Sequence, residues 1–238
     1  MDTINVNDLL ARSVIYRLLS LGFLYPTNDL VTALRDEAGK ADKSVNVYGD
    51  WVTRLAKAFE EDSDHASISG LESDYARLFD ASIQTPCPPY ESNYGSNHTY
   101  DLTRELADVA GFYRAFGLNM SNTNKEMPDH ISAEMEFMHI LTLKEAHATM
   151  KGWSDKISLT RDAQKKFLQA HLGRWTSAIC TAIQQSADVK FYRELADITN
   201  SHIEREVSMF KITPERITKN VESEAPPEEL GCSEETSE

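Results

Sequence analysis

The chain has 238 residues, 41% of them hydrophobic, which allows one sizeable core and falls short of two ordinary domains. A formal charge of -14 argues against nucleic-acid binding, which needs basic patches to neutralise phosphates, and suits a basic peptide partner. Asp2 stands where a secretory signal would be basic, Arg12 and Arg17 interrupt the first apolar segment, and no apolar run reaches spanning length, so the expected setting is cytoplasmic.

The first periodic segment, Asp8 to Leu24, places Leu10, Val14 and Leu18 on one face beside Ile15, Leu19 and Phe23, and stops before Pro26. Asn28-Asp29 caps a short second helix to about Ala41. Val47, Trp51, Leu55 and Phe59 recur at four-residue steps and define a third. Leu71, Tyr75, Leu78 and Phe79 form the apolar face of a fourth, with Asp74 and Arg77 next to it. The following Pro86-Cys87-Pro88-Pro89-Tyr90-Glu91-Ser92-Asn93-Tyr94-Gly95 cannot be helical, because prolines remove donors and push their predecessors toward extended backbone. Its Tyr90, Glu91 and Tyr94 leave two readings open. They grip a basic, partly apolar peptide, or they belong to a stiff connector whose tyrosines pack on the bundle.

A fifth helix runs from Thr99 through Leu102, Leu106, Val109, Tyr113 and Phe116 to a stop at Gly117, and an Asn- and Ser-rich loop leads to Met127. Polar chemistry is densest next, in Glu126-Met127-Pro128-Asp129-His130, where an acid and a proline suit the first turn of a sixth helix. Ile131, Met135, Met138 and Thr142 then face a core, while His130, Glu134 and Glu136 point to other faces. A seventh helix, about Thr160 to Gln184, buries Phe167, Leu168, Leu172, Trp175, Ile179 and Ile183. An eighth, capped by Asp188, buries Phe191, Leu195, Ile198, Ile203, Val207 and Phe210. The expected fold is an all-α, single-domain bundle of about eight helices over residues 1–213. Residues 214–238 are expected to form a disordered acidic tail: seven Glu and no Lys or Arg follow Val221, so half the formal charge sits there.

Cys87, Cys180 and Cys232 lack any CxxC spacing and read as thiols in a reducing compartment, with Cys180 a small buried hydrophobe. Glu136-Phe137-Met138-His139 is half of a di-iron bundle motif, but the second half is missing, and Asp62-Ser63-Asp64-His65 is only an imperfect echo. His130 and Glu134, one turn apart, bring two ligand types together, yet a capping or hydrogen-bonded pair is the strongly favoured explanation of the spacing. There is no Gly-x-Ser-x-Gly, phosphate-binding glycine loop or His-Glu-x-x-His. The reading is therefore a binding protein with no catalytic residue and no metal ligand; a metal-dependent helical-bundle enzyme is the less favoured alternative.

Five segments occur in register along residues 10 to 210: Asp74-Tyr75-Ala76-Arg77-Leu78-Phe79, Pro89-Tyr90-Glu91-Ser92, Tyr113-Arg114-Ala115-Phe116-Gly117-Leu118, Pro128-Asp129-His130-Ile131 with Glu134 to Met138, and Phe167-Leu168 with His171-Leu172 and Trp175. In that order they resemble the TorD/DmsD-like maturation chaperones of molybdenum oxidoreductases. The resemblance implies a cytoplasmic chaperone that binds the apo catalytic subunit and its basic-then-apolar twin-arginine signal peptide, and delays export until the cofactor is inserted. It implies a client site containing Asp74, Tyr90, Glu91, Glu126, Pro128, Asp129, His130 and Glu134. No cofactor is held stably; transient contact with molybdopterin guanine dinucleotide or GTP is implied without assigned residues. A nitrate-reductase-type assembly chaperone, whose client is not exported, is the neighbouring alternative. Monomer and homodimer both stay open.

Overall fold

A computed structural model of the protein describes residues 5–40, 46–62, 68–80, 85–94, 99–119 and 127–217. Among these residues lie nine α-helices: α1 (Val6–Gly22), α2 (Asn28–Lys40), α3 (Asn46–Asp62), α4 (Ser69–Phe79), α5 (Thr99–Ala115), α6 (Ile131–Lys151), α7 (Ser154–Ala170), α8 (Leu172–Ser186) and α9 (Lys190–Phe210). The described residues contain no strand, only one isolated antiparallel bridge between Tyr90 and His130. No helix among them is long and apolar enough to cross a membrane. The all-α bundle expected from periodicity is what forms.

One expected helix is two. The stretch from Thr160 to Gln184 breaks at His171, whose φ of -129° and ψ of -98° belong to neither helix. At Gly173 a Cβ would sit 2.3 Å from the Leu168 carbonyl oxygen, so the close approach of α7 and α8 requires glycine. Phe167, Leu168, Leu172 and Trp175 all point into the same core across the break, so their spacing conceals it. Helix α7 also starts earlier, at Ser154, because Gly152 in the left-handed region (φ 67°) ends α6 and turns the chain.

Helix α6 is the central element, with α1 and α7 packed along it and α8 crossing near its start. It is therefore buried on nearly every side. The expectation that His130 and Glu134 point away from the core is corrected: both are buried, and only Glu136 of the three is exposed. Rings of Phe112 and Tyr113 on α5, Phe137 on α6 and Phe167 on α7 stack edge-on or tilted, with Phe137 and Phe167 centroids 4.8 Å apart. Tyr113, Phe137 and Phe167 are buried and each contributes about 1.5–3 kcal/mol by leaving water, and the cluster with the partly buried Phe112 fixes α5 against the core.

A second, polar tie crosses the bundle. Arg12 of α1 donates to Glu206 of α9 at 2.7 Å and to Gln164 of α7 at 2.8 Å, while Gln164 donates to Glu145 of α6 at 2.6 Å. All four side chains are buried.

The ordered bundle extends past residue 213. Pro214 is buried, Arg216 donates to the Gly173 carbonyl at 2.7 Å, and the Ile217 N–H donates to the Arg174 carbonyl at 2.9 Å. Residues 214 to 217 thus satisfy groups at the start of α8 and are no part of a tail. The expected disorder of residues 218–238, and Cys232 with it, lies outside the described residues. Cys87 and Cys180 are both buried, and burial pushes the Cys87 thiol up to about 12.

Candidate functional site: a buried acid junction at the start of α6

The proline-rich loop is held to the start of α6 by two backbone hydrogen bonds, Ile131 N–H to Pro89 O at 2.9 Å and Glu91 N–H to Asp129 O at 3.0 Å. Asp129 adds a third link, accepting from the Ser92 N–H at 3.0 Å in a single 3-10 turn, Glu91–Asn93. The Tyr113 hydroxyl donates to the Pro128 carbonyl at 2.7 Å, fixing the same turn from α5. The capping residue is His130. Its Nδ1 accepts from the Ser132 N–H at 3.1 Å, satisfying one of the free donors of the first turn. Tyr90 lays its ring edge-on to the His130 imidazole at 5.1 Å, and Tyr94 packs on Trp175 at 5.3 Å. The packed-connector reading of the loop is the one the geometry realises.

Behind this turn the carboxylates gather. Glu91 contacts His171 Nδ1 at 2.9 Å, and His171 Nε2 reaches Asp108 at 3.1 Å. Arg174 lies 3.5 Å from Glu91 and 3.7 Å from Glu105. Glu134, fully buried at 0%, accepts from the Trp175 indole N–H at 3.3 Å. Five carboxylates thus share one guanidinium and one imidazole. Asp129 Oδ1, Glu134 Oε1 and Glu105 Oε2 have no hydrogen-bond partner among the described residues, and Glu91 Oε1 has only its long ionic contact with Arg174.

Burial, reinforced by the charges of Glu91 and Asp129, holds Glu134 well above the ordinary carboxylate range. Burial also raises Asp129 against the opposing Ser92 hydrogen bond, and raises Glu105 together with the Glu91 charge. For His171 burial acts downward, but bonding to Glu91 and Asp108 outweighs it and the imidazole is raised. The junction therefore holds protons that isolated carboxylates would release. A carboxyl group raised in the fold contributes stability below its unfolded pKa and loses that contribution as pH rises through the folded value. Glu134→Gln removes the charge and keeps the shape, so it should stabilise the protein by about 1 kcal/mol or more near pH 8, and by less near pH 5. Urea unfolding at the two pH values checks this; a variant weaker than the parent at high pH would contradict it.

Tyr90, Glu91, Pro128, Asp129, His130 and Glu134 are brought together around the start of α6. Asp74 is not among them. Its Oδ2 accepts from the N–H groups of Asp188 and Val189, each at 3.0 Å, and the carboxylate pairs with Arg77, so it locks α4 to the turn before α9. Glu126 lies outside the described residues. The acid at the start of α6 is not open to solvent. Asp129 is 2% exposed and, like Glu91 and Glu134, is covered by the loop and α8. What reaches solvent is a rim formed by Asp108, whose side chain is 63% exposed, with Glu105 and Arg174 half-buried beside it. Those residues carry little sequence signal, because an acid pair three apart on a helix is also what a solvated face looks like.

The Glu136 and His139 pair is spoken for by α1: Glu136 binds Arg17 at 2.7 Å, and His139 Nδ1 lies 2.8 Å from both the hydroxyl and the carbonyl oxygen of Ser13. No group of three or more His, Cys, Asp or Glu among the described residues is arranged to hold a metal ion. His65 lies outside the described residues. A phosphate-bearing cofactor does not fit the acid junction, since its surplus of carboxylates would repel phosphate oxygens.

The chain belongs to the nitrate reductase delta subunit family, whose model matches residues 44–181, and so to the maturation chaperones that its motifs resemble. It is 28% identical over 220 residues to the perchlorate reductase assembly chaperone protein of Dechloromonas aromatica (strain RCB), covering 86% of this chain and 95% of that one. It is 30% identical over 118 residues to the selenate reductase assembly chaperone protein of Thauera selenatis, covering 48% of this chain and 60% of that one. It is 30% identical over 107 residues to the chlorate reductase assembly chaperone protein of Ideonella dechloratans, covering 44% and 53%. These relatives are named as assembly chaperones, in agreement with the non-catalytic reading of the sequence.

Proposed function

We propose that the protein is an assembly chaperone that binds the immature catalytic subunit of a molybdopterin-containing oxidoreductase in the cytoplasm and holds it until its cofactor is inserted. The observation that carries this reading is the match, over nearly its whole length, to an assembly chaperone of a reductase. The work is reversible binding, which changes the populations of client states without making bonds. Where the client carries a twin-arginine leader, its cationic part meets the Asp108 and Glu105 rim, and covering the leader delays export. Charge-assisted hydrogen bonds of this kind contribute about 1.5–3 kcal/mol each when sheltered and less at an exposed rim. Tyr90, Glu91, Pro128, Asp129, His130 and Glu134 act one layer below, keeping His171 and α5 in place beneath that rim.

Copurification from cells followed by mass spectrometry tests the client; recovery of no oxidoreductase subunit would sink the proposal. Calorimetry with the leader peptide of that subunit tests the rim. Asp108→Asn combined with Glu105→Gln should weaken binding roughly tenfold, equivalent to about 1.4 kcal/mol, with the helical circular-dichroism spectrum retained. Undiminished affinity would place the leader elsewhere on the chaperone. A second reading, a client that stays in the cytoplasm without an export leader, is favoured by the family being that of the nitrate reductase delta subunit. Under it, the copurified subunit binds equally well after its N-terminal segment is removed.

A further inference from the structure

We propose that a groove between the end of α5, α6 and the start of α7 is the docking site of the chain's own acidic C-terminal segment, seated through Glu228-Glu229-Leu230. The groove encloses about 690 Å³ and is lined by Phe116, Leu143, His147, Trp153 and Leu159, with Lys144 and Lys156 on its rim. Its apolar lining is unusually open: Leu143 is 44%, Trp153 43% and Leu159 61% exposed. Scattered single apolar side chains at a surface need no explanation, but three in one concave site mark a place that something covers.

Charge selects the occupant. On a chain of formal charge -14, Lys144 and Lys156 have no carboxylate within 4.0 Å among the described residues. Lys156 instead holds its Nζ 4.0 Å from the Trp153 ring centroid, and the His147 ring lies 5.6 Å from that indole. A basic leader would be repelled here; a segment with adjacent acids and one apolar side chain is matched. Glu228-Glu229-Leu230 has that composition, within a stretch that carries seven Glu and no Lys or Arg after Val221.

The reach is sufficient. Thr213 is joined to Gln169 near the end of α7 by hydrogen bonds at 2.6 and 3.3 Å, and Ile217 is bonded to Arg174. Helix α7 has 17 residues and is about 25 Å long, with the groove along its first half. The eleven residues that follow Ile217, up to Glu228, span up to about 36 Å when extended. Tethering raises the effective concentration of the segment to the order of mM, so contacts too weak to hold a free peptide suffice. The inference rests on charge and reach alone and does not require the client reading.

The test uses the full chain with a nitroxide directed at Cys232, Cys87 and Cys180 being buried. The Trp153 indole and Lys156 amide signals should be lost to paramagnetic broadening at low salt, while the Trp175 indole signal is retained. Lys144→Glu with Lys156→Glu should restore the lost signals, and adding Glu228→Lys with Glu229→Lys should broaden them again. The proposal is overturned if Trp153 is unaffected in the parent chain, or if broadening survives charge reversal. It is equally overturned if broadening arises only between a spin-labelled chain and a separate isotope-labelled copy, which would make a second molecule the occupant.

Discussion

An Arg12→Ala chain should lose about 3–5 kcal/mol of unfolding free energy, the largest single effect expected outside the aromatic core. Among the described residues the Arg12 guanidinium is the one cation paired with Glu206, which lies buried against it and accepts at 2.7 Å, with the Tyr16 hydroxyl donating from 3.2 Å. Burial acts to raise Glu206, but the Arg12 charge and hydrogen bonds outweigh it and hold the carboxyl below the ordinary range. Removing Arg12 therefore leaves a charge in the core with only a tyrosine for company. At roughly 2–4 °C per kcal/mol for a chain of this size, the melting temperature should fall by about 10 °C. The double variant Arg12→Met with Glu206→Met should recover most of the loss, because it removes both charges and keeps apolar volume. A fall of less than about 1 kcal/mol in the single variant would mean that the pair behaves like an exposed one. The sign with pH is also set. A carboxyl depressed in the fold stabilises above its unfolded pKa, and the contribution disappears as pH falls through the folded value, so the Arg12→Ala penalty should shrink in acid.

Trp175→Ala should cost a similar amount, about 3–5 kcal/mol, by opening a cavity beneath the first turn of α8. The indole is fully buried, stacks on Tyr94 at 5.3 Å and donates to Glu134 at 3.3 Å. Trp175→Phe separates the two contributions. It keeps much of the volume and removes the donor, so its cost should be about 1–3 kcal/mol, from a buried acid left without its partner. Because Glu134 retains a proton, that cost should be smallest at low pH. Chemical denaturation of the three chains at two pH values measures this; equal stability of the alanine variant and the parent would show that Trp175 is not core.

The lettering of the chain made some of this plain and hid the rest. Val47, Trp51, Leu55 and Phe59 marked α3 because four-residue spacing is a property of neighbouring residues, and the structure places Trp51, Leu55 and Phe59 in the core. Phe167 to Ile183 has the same regularity, yet it spans two helices, because the break lies at His171 and Gly173 while the apolar positions on both sides keep facing one core. Tyr90, Glu91, Asp129 and His130 were grouped through the family resemblance; that residues 89–92 lie against the start of α6 follows from backbone pairing between segments far apart in the chain, which no local pattern shows. Asp74 was legible only as a polar residue beside an apolar face, and its actual partners, the amides of Asp188 and Val189, lie more than a hundred positions away.

By itself, the sequence determined an all-helical bundle, its buried apolar stripes and a concentration of acid at the start of α6, because helical periodicity and local charge are written in consecutive residues. Only the tertiary structure decided that this acid is enclosed and that Asp108 and Glu105 face outward in its place. It also decided that Arg12 neutralises Glu206. Whether a carboxylate is buried, protonated or paired depends on which distant elements close over it and which cations they bring, and His171, Arg174 and Trp175 arrive at Glu91 and Glu134 from the α7–α8 break and the first turn of α8.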